Sequence, residues 1–226
     1  LAEFEIYIGN KNYSSWSLRL WLTLKQTGAA FEETMIVLDQ PDSATNLRRH
    51  SPSGRVPVLQ HGTLAIWETL AICEYLAEQF PAARLWPEDR EARAHARAVS
   101  NEMHAGFAAL RHNLPMDISR RWPLGTRMVK AGPDIERVAA IWRECRERFG
   151  SRGANGDGDF LFGGFTIADA MFAPVATRFV TYSVPLDPVC SAYVAAMQRW
   201  PAMQDWTAAA RAEPWVISYD VNTRAA

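Results

Sequence analysis

The chain reads as an α/β unit of about 80 residues joined to an all-helical unit. Three observations predict this. Apolar residues alternate at Phe4, Ile6 and Ile8, then switch to helical spacing after Ser14. Two short apolar runs, Val56–Gln60 and Thr63–Ile66, flank a His61–Gly62 turn. Beyond Pro87 almost every periodic segment is helical, with no further strand pattern.

The first strand ends at Gly9, and a polar Asn10-Lys11-Asn12 turn follows. A helix is expected from Ser14 or Ser15 to Thr27. Leu18, Trp21 and Leu22 lie on one face, Leu20 and Leu24 on another, and Gly28 closes it as a C-cap. Phe31–Leu38 is the second strand. The polar, poorly periodic stretch from Asp39 to His50 reads as an irregular loop with one helical turn. Pro57 removes a ladder donor, so it belongs at the first residue of the third strand. The two-residue turn makes the third and fourth strands antiparallel. A helix over 68–79 repeats apolar residues at 70, 73, 76 and 80. From residues alone the order is β-α-β-loop-β-β-α.

Pro81 and Pro87 break helicity twice, which predicts a linker over 81–88 between units at 1–80 and 89–226. Helices are expected from Arg90 to about Leu114, Pro133 to Phe149, Ile167 to about Thr181, 188–199 and 201–212, the last two split by Pro201. No internal repeat is visible.

With 226 residues, 48% hydrophobic and 22% charged, the chain can bury a sizeable core. A net charge of −1 does not favour a nucleic-acid partner. No apolar run approaches the roughly 20 residues needed to span a bilayer, and the opening Leu-Ala-Glu-Phe-Glu-Ile has no secretory-signal pattern. Cys73, Cys145 and Cys190 are few, odd in number and widely spaced, which fits a reduced, cytoplasmic protein.

The stretch from Ser51 to Glu78 carries the chemistry. A cis Val56–Pro57 bond would turn Val56's N–H and C=O outward as an edge for a small peptide. Some ten residues on, the N-terminus of the helix at Glu68-Thr69 offers bare N–H groups and a positive dipole end to a carboxylate. Together they point to a short acidic peptide.

Asn12-Tyr13-Ser14-Ser15-Trp16-Ser17-Leu18-Arg19 resembles the Ser-Ser-Cys motif of zeta-class glutathione S-transferases. Arg55-Val56-Pro57 resembles that family's cis-proline, and Trp67-Glu68-Thr69 its Glu/Gln-Ser motif. The likeness to the cytosolic glutathione S-transferases, serine type, covers essentially the whole chain. It implies a thioredoxin-like N-terminal domain ordered β-α-β-α-β-β-α, an all-α C-terminal domain, and a homodimer. It also implies glutathione as co-substrate, with no metal.

Carried over, Ser14 or its neighbour Ser15 hydrogen-bonds the glutathione sulfur. Val56 and Pro57 hold the cysteinyl backbone, Glu68 the γ-glutamyl ammonium and Thr69 its carboxylate. Trp16 stands where the zeta class has cysteine, which removes any nucleophilic or redox role of that thiol and narrows the pocket. Two serines at a helix start also suit plain N-capping, and capping does not exclude catalysis. Arg55 is equally a solvated turn residue or a second anion contact.

The electrophile pocket is expected between the domains, among Trp16, Met103, His104, Phe107, Leu110 and Arg111. His104 and Arg111 share one helical face, placed to hold a carboxylated substrate, although an interhelical histidine and a solvated arginine are the commoner roles. The cluster Met116, Arg120, Arg121 and Trp122 reads as a solvated helix end. Asn155-Gly156-Asp157-Gly158-Asp159 lacks the downstream glutamate of a calcium loop and reads as a turn.

Thr166 and Asp169 resemble the capping box of the family's buried helix, a folding feature. The expected reaction is addition of the glutathione thiolate to a hydrophobic or α,β-unsaturated electrophile. A zeta-like cis–trans isomerisation and a non-catalytic binding protein are the alternatives.

Overall fold

The computed structural model describes residues 3–152 and 158–217. Its first part is a four-stranded sheet ordered β2-β1-β3-β4, formed by β1 (Phe4–Ile8), β2 (Phe31–Met35), β3 (Val58–His61) and β4 (Leu64–Trp67). β1 and β2 are parallel, and the other two pairs antiparallel. Phe4, Ile6 and Ile8 are buried while Glu5 and Tyr7 stay half-buried, so the period-2 pattern sets the face of β1. Helix α1 (Ser15–Thr27) follows β1, and Gly28 caps it in the left-handed region at φ 73°. Helix α3 (Thr69–Gln79) packs against α1 and buries Ile72, Cys73 and Leu76.

Several boundaries differ from expectation. The segment after β2 contains a two-turn helix, α2 (Ser43–His50), which buries only Ser43 and so lacks an apolar period to betray it. This gives the order β-α-β-α-β-β-α. β3 begins at Val58, because Pro57 cannot donate to the ladder, and the hairpin turn is Gly62–Thr63, with His61 paired to Leu64.

The second part is helical: α4 (Arg90–Ala105), α5 (Ala108–Asn113), α6 (Arg127–Phe149), α7 (Ile167–Thr181), α8 (Pro188–Arg199) and α9 (Pro201–Ala212). The long helix expected over 90–114 is broken. Phe107 has φ 60°, and a Cβ on Gly106 would lie 2.9 Å from Glu102 O. Helix α6 starts before Pro133 rather than at it. Its proline falls in the second turn, where one backbone donor is lost.

Helix α7 is buried along almost its whole length and packs on both α1 and α4, which joins the two parts through one core. Thr166 and Asp169 form its capping box. Among the described residues no helix is long and apolar enough to cross a membrane, and no group of acidic, histidine or cysteine side chains could hold a metal ion. Asn155, Gly156 and Asp157 lie outside the described residues.

Candidate active site

The turn between β1 and α1 is tightly specified. A Cβ on Gly9 would meet Leu38 Cδ1 at 2.6 Å and Ser14 Cβ at 3.2 Å, so a larger residue there would have to push the Leu38 side chain aside. Asn10 O accepts the N–H groups of both Tyr13 (3.1 Å) and Ser14 (2.8 Å), while Asn10 Oδ1 accepts Leu38 N–H at 2.8 Å. Ser14 then caps α1. Its Oγ faces Ser17 N–H at 3.4 Å and Ser17 Oγ at 2.7 Å, and Ser17 Oγ accepts Gly9 N–H at 3.0 Å. No acidic residue occupies the first turn of α1, so no carboxylate of the helix itself offsets the positive end of its dipole. Ser14 is 7% exposed; Ser15, the first residue of α1, is half-buried.

Beside this helix start lies a cleft of about 340 Å³ lined by Trp16, Ser53, Arg55, Val56, Pro57, Glu68, Thr69 and His104. That volume falls within the ~300–1,000 Å³ of small-ligand sites. Val56, Pro57, Glu68 and Thr69, expected to hold glutathione, meet here with Trp16 and Arg55, although the six come from three separate segments; Ser14 and Ser15, expected to face the sulfur, are not among the lining residues. The Val56–Pro57 bond is cis. Val56 precedes the first ladder residue of β3 and lines the cleft. Arg55 is exposed, both a turn residue and a cleft wall.

Glu68 holds φ 69°, ψ 116°, a sparsely populated conformation for a residue with a Cβ. It ends the hairpin and starts α3 in one residue. Thr69 is buried, and its hydroxyl lies 3.4 Å from Trp16 O, to which it donates. Thus the starts of α1 and α3 touch.

Ser53 was not singled out in the sequence. Ser51 Oγ, which accepts Arg55 N–H and lies 3.1 Å from Ser53 Oγ, is the signal that the Ser-Pro-Ser-Gly segment forms a built turn.

The predicted electrophile residues separate. His104 lines the cleft, its ring 5.2 Å edge-on to Trp16 and its Nε2 3.9 Å from Glu68. Burial lowers the His104 pKa; Glu68 opposes this, while Arg19 and Arg111 add to it. Met103, Phe107 and Leu110 turn instead into the core.

Arg111 is half-buried. It folds back on the broken helix and donates to the carbonyls of Met103 and His104, at 2.9 Å to the latter. The break, not a shared face of one long helix, brings it there. Its guanidinium lies 4.9 Å from the centre of the Trp16 ring, and that of Arg19 lies 4.2 Å from it. Arg19 is wholly buried and donates to Met171 O; burial first, then the charges of Arg111 and Arg178, push its pKa well down.

The basic-aromatic cluster lies in an irregular segment after α5. Met116 is in the core and Trp122 Nε1 donates to Asp117 at 3.2 Å. All three cysteines are buried, and burial pushes each thiol up to about 12, which leaves them inert. A separate hollow of about 220 Å³ behind the linker, walled by Trp86, Phe149, Phe162 and Phe165, contains none of the residues expected to bind glutathione or the electrophile.

The sequence profile of the glutathione S-transferase N-terminal domain matches residues 13–79, and that of the C-terminal domain residues 90–209. A probable maleylacetoacetate isomerase of Caenorhabditis elegans is 37% identical over 100 residues, which is 44% of this chain and 45% of that protein. Glutathione S-transferase 1 of Dianthus caryophyllus is 36% identical over 93 residues, 41% of each. The chain thus spans less than half the length of these curated relatives. A glutathione transferase homologue from Burkholderia, solved with bound glutathione, superposes with a TM-score of 0.69 at 26% identity, over 92% of this chain and 98% of that one. A bacterial zeta-class maleyl pyruvate isomerase shares the fold, with a TM-score of 0.68 at 23% identity over 93% and 98%.

Proposed function

We propose that this chain, which belongs to the glutathione S-transferase family, binds glutathione in the cleft and activates its thiol with the Ser14 hydroxyl for attack on an electrophile. The observation that carries the reading is a cleft that joins Trp16, in the first turn of α1 two residues after the N-cap Ser14, to Val56, Pro57, Glu68 and Thr69.

The chemistry follows from the thiol. A free thiol titrates near ~8.5, so at neutral pH only a small fraction is thiolate. A hydroxyl donor and a helix N-terminus both favour the anion, and each unit of lowering needs about 1.4 kcal/mol. A hydrogen bond to a charged group contributes roughly 1.5–3 kcal/mol, enough for one to two units. Arg19 and Arg111 over Trp16 add positive potential beside the cleft. Val56 would pair with the cysteinyl backbone, Glu68 with the γ-glutamyl ammonium and Thr69 with its carboxylate. Trp16 and His104 would face the electrophile, a hydrophobic or unsaturated compound. A cytoplasmic homodimer completes the proposal, and light scattering tests the dimer.

A second reading, glutathione-dependent cis–trans isomerisation, is favoured by the similarity to the C. elegans isomerase. There the thiolate adds, the bond rotates and glutathione leaves unchanged. Titration calorimetry with glutathione tests the binding, and substoichiometric glutathione separates the reactions. A transferase stops when glutathione is consumed, whereas an isomerase continues. No glutathione binding at millimolar concentration would leave a non-catalytic scaffold.

A further inference from the structure

The turn that presents Ser14 is held from the far end of the chain. Glu213, the C-cap residue of α9, places Oε1 2.6 Å from Lys11 N and Oε2 3.2 Å from Asn12 N, so two consecutive peptide N–H groups donate to one half-buried carboxylate. Trp206 Nε1, also from α9, donates to Lys11 O at 3.0 Å. Asn12 Nδ2 donates to Asp117 and Ser119, and its Oδ1 accepts Ser119 N–H at 2.9 Å. Every one of these partners belongs to the helical part. The gripped residues sit inside the hydrogen-bonded turn that runs from Asn10 to Ser14.

We infer that Glu213 is a positioning residue for thiol activation: its carboxylate fixes the Lys11–Asn12 peptide and thereby the place of the Ser14 hydroxyl. The inference rests on the function proposed above. A misplacement of about 1 Å in a catalytic geometry can cost ~10²-fold, so a rigid mounting for Ser14 has a chemical purpose.

Burial raises the Glu213 pKa, although the Lys11 and Asn12 N–H groups and the Lys11 charge oppose this; Glu33, on β2, adds to the rise. A carboxyl whose native pKa is raised binds its proton more tightly folded than unfolded. Its contribution to stability is therefore present at low pH and lost as pH rises through the native pKa.

The test compares wild type with Glu213→Gln and Glu213→Asp in three measurements: calorimetric Kd for glutathione, the pKa of the bound thiol from its thiolate ultraviolet absorbance, and Tm. Gln keeps one acceptor but turns an NH₂ towards the other N–H. The expected result for Glu213→Gln is a Kd within about threefold, a bound-thiol pKa raised by about one unit, hence roughly tenfold less thiolate below that pKa, and a native melt. Asp, one methylene shorter but still anionic, should fall between. A folded Glu213→Gln with the wild-type thiol pKa overturns the inference. If that variant does not fold, Glu213→Asp carries the test, and a wild-type thiol pKa there overturns it equally. Wild type that binds no glutathione, or binds it with an unshifted thiol, refutes the proposed function itself, which the wild-type measurements show without either variant.

Discussion

The Ser14 and Ser17 hydroxyls stand 2.7 Å apart, and Ser17 also receives the Gly9 N–H at 3.0 Å. At this distance one hydroxyl donates its hydrogen to the other. When Ser17 donates, Ser14 keeps its own O–H free for an anion beside the helix terminus, and Ser17 becomes the residue that orients it.

Replacing Ser14 by Ala should therefore raise the bound-thiol pKa by one to two units and lower turnover roughly 10–100-fold, the worth of one charge-assisted hydrogen bond. Glutathione Kd should change little. Ser17→Ala should give a smaller rise, since it loosens the Ser14 rotor without removing it. Spectroscopic titration of the thiolate checks both. A larger loss from Ser15→Ala than from Ser14→Ala would assign the sulfur contact to Ser15.

Glu68 offers two separable effects. Its side chain is proposed to meet the glutathione ammonium, and its backbone is held at φ 69°. Glu68→Gln should weaken glutathione binding about tenfold. Glu68→Gly should weaken it as much, yet raise stability by about 1 kcal/mol through relief of backbone strain. Thr69→Val, which keeps the shape and removes the hydroxyl, should also cost about tenfold in Kd. Calorimetry and thermal melts read the two effects apart, and unchanged Kd in all three variants would remove the site from this cleft.

Arg111 closes the end of α4 by donating to two of its last carbonyls. Arg111→Ala leaves these acceptors unpaired at a partly buried site, at a cost of about 2 kcal/mol. For a chain of this size that is roughly 4–8 °C in Tm. Arg111→Lys should recover only part, because one ammonium cannot reproduce the planar fork. Loss of helicity at residues 102–106 in hydrogen exchange would mark the same event.

What the sequence revealed depended on how local the cause was. Helices α8 and α9 begin at Pro188 and Pro201, and α7 announces itself through Thr166 and Asp169; these signals lie within a turn of the boundary they set. The cleft was legible because Val56, Pro57, Glu68 and Thr69 sit in one hairpin and the helix it feeds. The break at Gly106–Phe107 was not, since good helix formers flank it and its stabiliser, Arg111, follows several residues later. Ser17 reads as an ordinary helical residue until the fold brings Gly9 against it. Glu213 reads as a helix end, and nothing near it in the chain names Lys11 or Asn12 as its partners.

Asp169 combines a folding role with a titration that can be followed. Its Oδ2 accepts Thr166 N–H at 2.8 Å and Thr166 Oγ1–H at 2.9 Å, and its Oδ1 accepts Leu161 N–H at 3.1 Å. Complete burial nevertheless raises its pKa to about 6 against these bonds. Because the native pKa exceeds the unfolded one, this group's contribution is full below about pH 4 and is lost as pH rises through about 6. Asp169→Ala strands two backbone donors and should destabilise the fold by about 3 kcal/mol at neutral pH. Asp169→Asn keeps one acceptor, carries no buried charge and should cost less. Denaturant unfolding followed between about pH 4 and pH 6 should then show a fall of stability with rising pH in wild type that is absent from the Asn variant. An equal slope in both proteins would mean that another buried group takes up the proton.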